Sequence, residues 1–230
     1  MTNFSELHPI QGRILRELLY HPERRFSELN LDGVPSDQFS FHLKRLTELT
    51  LVRKNDKGYE LTAAGKEFAN RFDSETKDLI LEKQAKLGAL ICCVRGEECL
   101  MQQRLKQPYY GYHGFITGKI KWGESVYETA EREFLEETGL SAKLTFLGVE
   151  HKIDYAKTGE LLEDKYFFIF RGDDPKGTLQ EKFHAGRNLW IKMDEVAKMP
   201  DLHGDVPAIL EVVRERQLRM WEQKFEVERY

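Results

Sequence analysis

Apolar residues in the first third of the chain recur at intervals of three and four positions, which is the spacing of one helix face. The first such set spans residues 10–18, and the pair His21-Pro22 predicts where this helix ends. Residues 26–30 (FSELN) predict a short second helix. A third helix is predicted to start with Ser36 as its N-cap.

The pattern changes to alternation over residues 51–62, around the polar turn Asn55-Asp56-Lys57-Gly58. Alternation about such a turn predicts a β-hairpin. Residues 63–72 return to helical spacing. Three helices, a hairpin and a helix in this order resemble the winged helix-turn-helix domain of bacterial and archaeal regulators. The resemblance implies a small N-terminal domain, which we assign to residues 1–75.

The rest of the chain mixes strand patterns with helical ones. We predict strands within residues 86–95, 98–105, 142–155 and 164–172, a strand entering a short helix over residues 187–199, and a long amphipathic helix over residues 206–226. Strands interleaved with helices indicate a layered α/β or α+β domain. We therefore predict a second domain over residues 77–230 and assign the whole chain to the α+β class.

Composition narrows the classes of function only modestly. Charged residues make up 32% of the 230 residues and the formal net charge is -4, which gives no general attraction to nucleic acid or to anionic membranes. No apolar run is long enough to cross a bilayer, and the N-terminus lacks a signal-peptide pattern. Three cysteines, an odd number, argue against a disulfide framework. These observations predict a cytoplasmic protein without a membrane partner.

The chemistry is concentrated in residues 118–140, GKIKWGESVYETAEREFLEETGL. Glu133, Glu136 and Glu137 are spaced by three and four positions, so on a helix they project within an arc of about 100°. Carboxylates packed together repel one another, and such a cluster tends to raise its pKa values or to hold a hard cation. Mg²⁺ suits oxygen ligands, with Mn²⁺ as the alternative. Arg132 is placed to orient these carboxylates by forked hydrogen bonds.

The same residues carry a long motif. Gly118, Glu124, Arg132-Glu133, Glu136-Glu137 and Gly139 stand at the spacing of the Nudix box, so this segment resembles the Nudix hydrolase family. The resemblance implies an α/β/α sandwich with a mixed sheet, and hydrolysis of a nucleoside diphosphate linked to another group. It also implies that Glu133, Glu136, Glu137 and the carbonyl of Gly118 bind the metal. Glu124 and Arg132 become the organising ion pair, and Glu136 is assigned with them to catalysis. Thr117 departs from the family pattern, because a glycine often stands there.

Other site residues remain open at this point. Tyr109 and Tyr112 lie in an aromatic segment before the box and are candidates for stacking on a base, although packing of tyrosines at a strand edge is the alternative. The general base is not identified by the sequence. Glu163, Asp164 and Glu181 are downstream candidates beside the acids of the box.

Three functions fit the pattern. The first is a Mg²⁺-dependent Nudix hydrolase acting on a small molecule linked through a nucleoside diphosphate. The second is a DNA-binding regulator whose Nudix domain senses a nucleotide metabolite such as ADP-ribose. In the third, the protein is an enzyme whose helical domain serves only to assemble a dimer. We expect the protein to form a homodimer. Residues 1–75 hold 11 Lys and Arg against 12 Asp and Glu, so strong binding to a polyanion is not indicated.

Overall fold

The computed structural model describes residues 7–30, 33–71 and 83–230, and the chain divides into two compact units, Met1–Lys83 and Gln84–Tyr230. The predicted domain boundary at residues 75–77 lies outside the described residues. None of the helices in the described ranges is long and apolar enough to span a bilayer.

The first unit contains a small helical domain with a two-stranded hairpin. Its elements are α1 (Pro9–Tyr20), α2 (Phe26–Leu29), α3 (Ser36–Glu48), β1 (Val52–Lys54), β2 (Tyr59–Leu61) and α4 (Ala63–Ala69). This is the predicted order of three helices, a hairpin and a helix. One detail of the prediction was wrong: Pro35 holds the N-cap position of α3, and Ser36 is the first helical residue.

One apolar core joins the elements of this unit. It contains the inward-facing residues of α1, α3 and α4 together with Leu51, Val52 and Leu61 from the hairpin. Leu15 and Leu46 are fully buried within it. Residues three and four positions apart share one side of a helix, so the predicted helical spacing selects the residues that form this core.

The second unit is built on a long mixed sheet. Its strands are β3 (Lys86–Arg95), β4 (Glu98–Arg104), β5 (His113–Gly114), β6 (Ile116–Lys119), β7 (Leu140–Ala156), β8 (Leu161–Gly177), β9 (Lys182–Phe183), β10 (Gly186–Lys192) and β11 (Arg219–Val227). Its helices are α5 (Val126–Thr138) and α6 (Val206–Glu215), with a 3₁₀ turn at Val196–Lys198.

The strand order across the sheet of the described residues is β11-β7-β8-β3-β4-β10-β9, with β6 paired to β3 and β5 to β4. The pairs β3–β8 and β11–β7 are parallel, whereas β7–β8, β3–β4, β3–β6 and β4–β10 are antiparallel. The strands β6 and β4 pair with successive parts of β3, since Gly88–Ile91 face β6 and Val94–Arg95 face β4.

Both faces of the central strand β3 are covered. Ala89, Ile91 and Cys93 pack in a core that includes Ala130 and Phe134 of α5. Leu90, Cys92 and Val94 alternate with them and pack in a core that includes the apolar face of α6. A strand buried on both faces is expected to be apolar without interruption, as residues 87–94 of β3 are. The predicted α/β/α sandwich with a mixed sheet is confirmed.

The predicted long helix over residues 206–226 was wrong. The helix α6 ends at Glu215, Arg216 takes a left-handed conformation (φ 54°), and residues 219–227 form the strand β11 beside β7. Trp221 and Phe225 are four positions apart, and residues at that interval share a face in a helix and in a strand alike. The apolar spacing therefore did not distinguish the two structures, and neither glycine nor proline marks the break.

Candidate active site

The acidic segment forms the helix α5 with a defined start and end. The Oγ of Ser125 accepts a hydrogen bond from the amide of Glu128 (3.2 Å), and the Glu128 carboxylate accepts one from the amide of Ser125 (2.8 Å). This capping box satisfies two amides at the helix start. Gly139 follows the helix in the left-handed conformation that glycine adopts readily.

Arg132 organises the acids of this segment. Its Nε and Nη2 donate to the two carboxylate oxygens of Glu124, at 2.6 and 2.8 Å. Its Nη1 donates to Glu133 at 2.7 Å and, at 3.3 Å, to Glu136. One guanidinium therefore fixes the loop residue Glu124 and orients two acids of the helix. Forked contacts of this kind define geometry as well as supplying energy.

Glu124 is a permanent anion at ordinary pH. The hydrogen bonds from Arg132, and after them the bond from the Thr129 hydroxyl (2.7 Å), lower the pKa of Glu124 to about 2. The hydrogen bonds that Arg132 donates to Glu124, and after them the bond to Glu133, raise the pKa of Arg132 above its already high value. The predicted pair of Glu124 and Arg132 therefore lies in direct contact, and both of its members are charged.

The absence of a side chain at Gly118 makes room for the side chain of Glu133. A Cβ built on Gly118 would lie 1.8 Å from Cγ of Glu133 and 2.3 Å from its Cδ, which is far inside any contact distance. Only a residue without a side chain lets Glu133 pass over strand β6 at this point. The glycine that opens the motif is thus required by the position of the first acid of the predicted metal site.

Glu137 occupies a partly buried position. Its carboxylate accepts a hydrogen bond from Nε2 of Gln102 on β4 (2.9 Å). Burial raises the pKa of Glu137, and the nearby charge of Glu133 adds to this effect. Burial favours the neutral form of a carboxyl group, and a cation beside it would favour the anion.

The three predicted metal ligands do not converge in this structure. Glu133 and Glu137 line one pocket with Gly118, whereas the Glu136 side chain is 58% exposed and directed to Arg132. Across residues 7–30, 33–71 and 83–230, no three His, Cys, Asp or Glu side chains are grouped as metal ligands. The donor set still fits a hard cation, because two carboxylates and the backbone carbonyl of Gly118 offer oxygen ligands at the lining of one pocket.

The pocket has a volume of about 760 Å³ and is lined with cationic side chains. Those cations are Lys86, Arg104, Lys106, Lys119, Lys121, Lys152 and Lys165. The acids that line it are Glu133, Glu137, Glu163 and Asp205. Cations outnumber acids, so the lining is electrostatically suited to an anionic ligand of small-molecule size.

Both predicted stacking tyrosines line this pocket, but Tyr109 is largely committed to packing. Tyr109 is only 4% exposed, and its hydroxyl donates to Oδ2 of Asp154 at 2.6 Å. Burial raises the pKa of Tyr109, and the contact with Asp154 raises it further. Tyr112 is less enclosed, with its ring 5.2 Å from that of His203. Of the two, Tyr112 is better placed to meet a ligand.

The three downstream candidates for the general base lie in different places. Glu163 lines the pocket, where Lys86 and the Tyr230 hydroxyl hold its carboxylate. Burial alone would raise the pKa of Glu163, but these partners lower it. Asp164 is its neighbour in β8 and therefore faces the other side of the sheet, where it bonds to His151. Glu181 lies in the turn before β9, and it does not line the pocket.

The sequence analysis missed a set of buried charges on the floor of the pocket. Nζ of Lys152 lies 2.9 Å from Oδ1 of Asp205, and these residues are 5% and 4% exposed. Burial alone would lower the pKa of Lys152, but Asp205 reverses this and the pKa is raised. Next to them, burial raises the pKa of Glu150 to about 8 and lowers that of His203 to about 3. The charged alternation of Glu150, Lys152 and Asp154 within β7 is a signal that could have revealed them.

Comparison with protein families gives two matches. Residues 85–212, which are more than half of the chain, match the model of the NUDIX domain. Residues 4–71 match a domain of unknown function, DUF7347. The first match contains α5, the residues that line the cationic pocket and the strands β3 to β10. The second match spans the helical domain that resembles a winged helix.

Solved structures agree with this fold. The MutT protein of Bacillus halodurans shares 24% identity at a TM-score of 0.55, over 63% of this chain and 93% of that one. A MutT NUDIX hydrolase of Burkholderia pseudomallei shares 25% identity at a TM-score of 0.50, over 57% and 99%. The NUDIX domain of NrtR from Shewanella oneidensis, solved with ADP ribose, shares 21% at a TM-score of 0.50, over 68% and 99%.

Proposed function

This chain belongs to the Nudix family, and we propose that it is a Mg²⁺-dependent hydrolase that cleaves the diphosphate bond of a nucleoside diphosphate derivative. The observation that carries the proposal is the lining of one pocket by Glu133, Glu137 and Gly118 together with six lysines and Arg104. The carboxylates suit a metal ion, and the cationic side chains suit phosphate oxygens. A diphosphate substrate that binds together with a metal ion requires both groups in one pocket.

Each residue of the motif has a separate task in this proposal. Glu133, Glu136, Glu137 and the carbonyl of Gly118 would hold Mg²⁺ or Mn²⁺, with Glu136 turning away from Arg132 to do so. The metal, when bound, neutralises charge on phosphoryl oxygens and lowers the pKa of a water ligand. Arg132 keeps Glu133 in place through its contact at 2.7 Å and is itself fixed by Glu124. The cationic lining orients the phosphates and offsets their charge.

Two residues, Glu136 and Glu163, are candidates for the general base that accepts a proton from the attacking water. Glu136 is the more accessible, and its present partner is an arginine at 3.3 Å. Glu163 lines the pocket but already accepts from Lys86 and Tyr230, so it would have to exchange a partner before receiving a proton. We therefore assign the role of general base to Glu136, with one carboxylate oxygen for the metal and the other for the proton.

Substrate turnover tests the proposal directly. The full-length chain is incubated with Mg²⁺ and a panel containing ADP-ribose, a dinucleoside polyphosphate, NADH and an oxidised nucleoside triphosphate, and the products are separated by chromatography. We expect one class to yield two phosphate-bearing fragments, or a nucleotide and pyrophosphate, and we expect EDTA to stop the reaction. Absence of any product with both Mg²⁺ and Mn²⁺ across the panel would reject hydrolysis.

A regulator that senses a nucleotide is the second candidate. It is favoured by the helical domain, whose α3 exposes Lys44 and Arg45 beside a hairpin that exposes Lys54. The NrtR domain solved with ADP ribose has the same fold as the second unit. The test is binding to DNA from the chain's own promoter at rising salt. The regulator predicts affinity that falls steeply with salt and changes with ADP-ribose. No binding at low salt would exclude it.

A further inference from the structure

The strand β11 is the outermost strand of the sheet at one end. Among the described residues its single strand neighbour is β7, in a parallel register that runs from Arg219 opposite Gly148 to Val227 opposite Ala156. Along a strand, backbone groups point alternately to the two sides, so half of those in β11 point away from β7. Residues 219–227 thus present an unpaired edge that is about 30 Å long.

The sequence of this edge is complementary to itself when it is read in opposite directions. Two copies of RMWEQKFEV related by a two-fold axis through Gln223 place Glu222 of each copy opposite Lys224 of the other. The same register places Trp221 opposite Phe225. Opposite charges and aromatic pairs directly across an antiparallel ladder are the stabilising combinations.

Neighbouring registers lack this match. A two-fold axis through Glu222 sets that carboxylate against its own copy, and an axis through Lys224 does the same with two ammonium groups. Like charges directly opposite each other destabilise a strand pair. The register centred on Gln223 also overlaps all nine residues of β11, so it forms the longest ladder.

The side chains needed for the pairing are accessible. The Glu222 side chain is 64% exposed, although one of its oxygens lies 2.6 Å from Nδ1 of His151. Met220 is 68% exposed and Lys224 is also exposed. Among the described residues, Lys224 has no ion-pair partner in its own chain. A lysine in an edge strand ordinarily discourages pairing, but here the second copy supplies its counter-charge.

We propose that this chain forms a two-fold symmetric dimer in which the β11 strands of two copies pair antiparallel about Gln223 and join their sheets into one continuous sheet. The partner is a second copy of the same chain, because the charge pattern of the edge matches itself. Two Glu222–Lys224 contacts select the register, and the Trp221–Phe225 contacts add apolar area on the α6 side. The proposal does not depend on catalysis.

Charge exchange tests the pairing in the full-length protein by sedimentation velocity. We expect the wild type to be a dimer, and we expect Lys224→Glu and Glu222→Lys each to raise the dissociation constant about tenfold or more, because like charges then face each other. Mixing the two variants restores opposite charges at both contacts, so a heterodimer should form with nearly wild-type affinity. Glu226→Gln is the matched control and should leave the dimer unchanged.

A cysteine at the symmetry axis gives a readout that does not depend on charge. Gln223→Cys places two thiols opposite each other, so mild oxidation should give a covalent dimer, whereas Lys176→Cys on the distant end of β8 should not. The native cysteines are buried, which shields them from the oxidant. The proposal is overturned by a monomeric wild type at about 100 µM, by dimers insensitive to both charge reversals, by no complex on mixing, or by equal cross-linking of the control.

Discussion

Two groups of charged side chains contribute to the same pocket, the first through Glu133 and the second through Lys152 and Asp205, and they are held in opposite ways. On α5, Arg132 contacts three carboxylates, so acids outnumber the cation that holds them. On the floor of the pocket, Lys152 and Asp205 neutralise each other almost out of contact with water. The first group is left with an excess of negative charge, and the second is balanced.

This difference in charge balance indicates that the first group serves reactivity and the second serves stability. An excess of carboxylates can be compensated by an added cation, so the α5 group is suited to binding and to proton transfer. A buried balanced pair gains little from a ligand, and breaking it leaves an uncompensated charge. Mutations on α5 should therefore affect activity with little effect on stability, and mutations on the floor should do the reverse.

The largest effect is expected from Glu137→Gln. The change removes a proposed metal ligand, and we expect kcat/KM to fall by about a thousandfold or more. Stability should change little, because glutamine keeps the contact with Gln102 and removes a charge that burial disfavours. Activity is measured on the best substrate of the panel and stability by thermal melting. Glu131→Gln, at an exposed position of the same helix, is the matched control. Activity within tenfold of wild type would contradict the assignment of Glu137.

On the floor, Lys152→Met should reduce the free energy of unfolding by about 3–5 kcal/mol, because Asp205 stays buried without its partner. Urea unfolding followed by tryptophan fluorescence reports on this unit, since Trp122, Trp190 and Trp221 all lie within it. Lys176→Met on the surface is the control.

The double variant Lys152→Met with Asp205→Asn tests whether the unpaired charge of Asp205 causes this loss of stability. Removing both charges eliminates the unpaired ion, so we expect it to recover at least about half of the lost stability. If the double variant were less stable than the single one, the loss would come from packing rather than from the unpaired charge.

A smaller, pH-dependent effect is expected at Glu150, beside the Lys152–Asp205 pair. Its pKa is raised from the ordinary value of 4.5 to about 8, chiefly by burial, so the folded state keeps a proton that the unfolded state has lost. This makes stability fall as pH rises from about 4.5 to about 8. Glu150→Gln cannot ionise, so its advantage over wild type should grow across that window, by about 1 kcal/mol or more between pH 5 and pH 8. Glu226→Gln is the exposed control, and a constant difference would show that Glu150 does not titrate there.

Local patterns in the sequence were sufficient for the helix of the α5 group and for a layered domain, whereas the sandwich was implied by the resemblance to the Nudix family. Capping by Ser125, the end at Gly139 and the contact of Arg132 with Glu124 all join residues within one short segment. Such contacts depend on helix geometry, which spacing predicts. The same spacing did not predict that Glu136 would turn to Arg132 and away from Glu137, because side-chain orientation depends on the charges present.

The contacts on the floor of the pocket could not be predicted from the sequence, because the residues that make them come from distant segments. Lys152 belongs to β7, while Asp205 stands at the start of α6. Their contact depends on the order of strands and on the helix that covers them, which no single stretch encodes. The change from helix to strand after Glu215 could not be predicted for a related reason. The strand β11 is stabilised by its pairing with β7, and the periodicity of residues 219–227 does not reveal that pairing.

The smallest effect is expected at Glu124, a partly buried residue whose carboxylate is held by Arg132 and by the Thr129 hydroxyl. Its pKa is lowered to about 2, mainly by hydrogen bonds from Arg132, so its interaction stabilises the fold fully above the ordinary value of 4.5. That contribution declines as pH falls below 4.5 and is lost below about 2, where both states are protonated. The melting temperature of Glu124→Gln should therefore lie slightly below that of wild type at pH 6, and the two should approach each other by pH 3. A difference that stays constant over this range would show that the contact does not depend on the charge of Glu124.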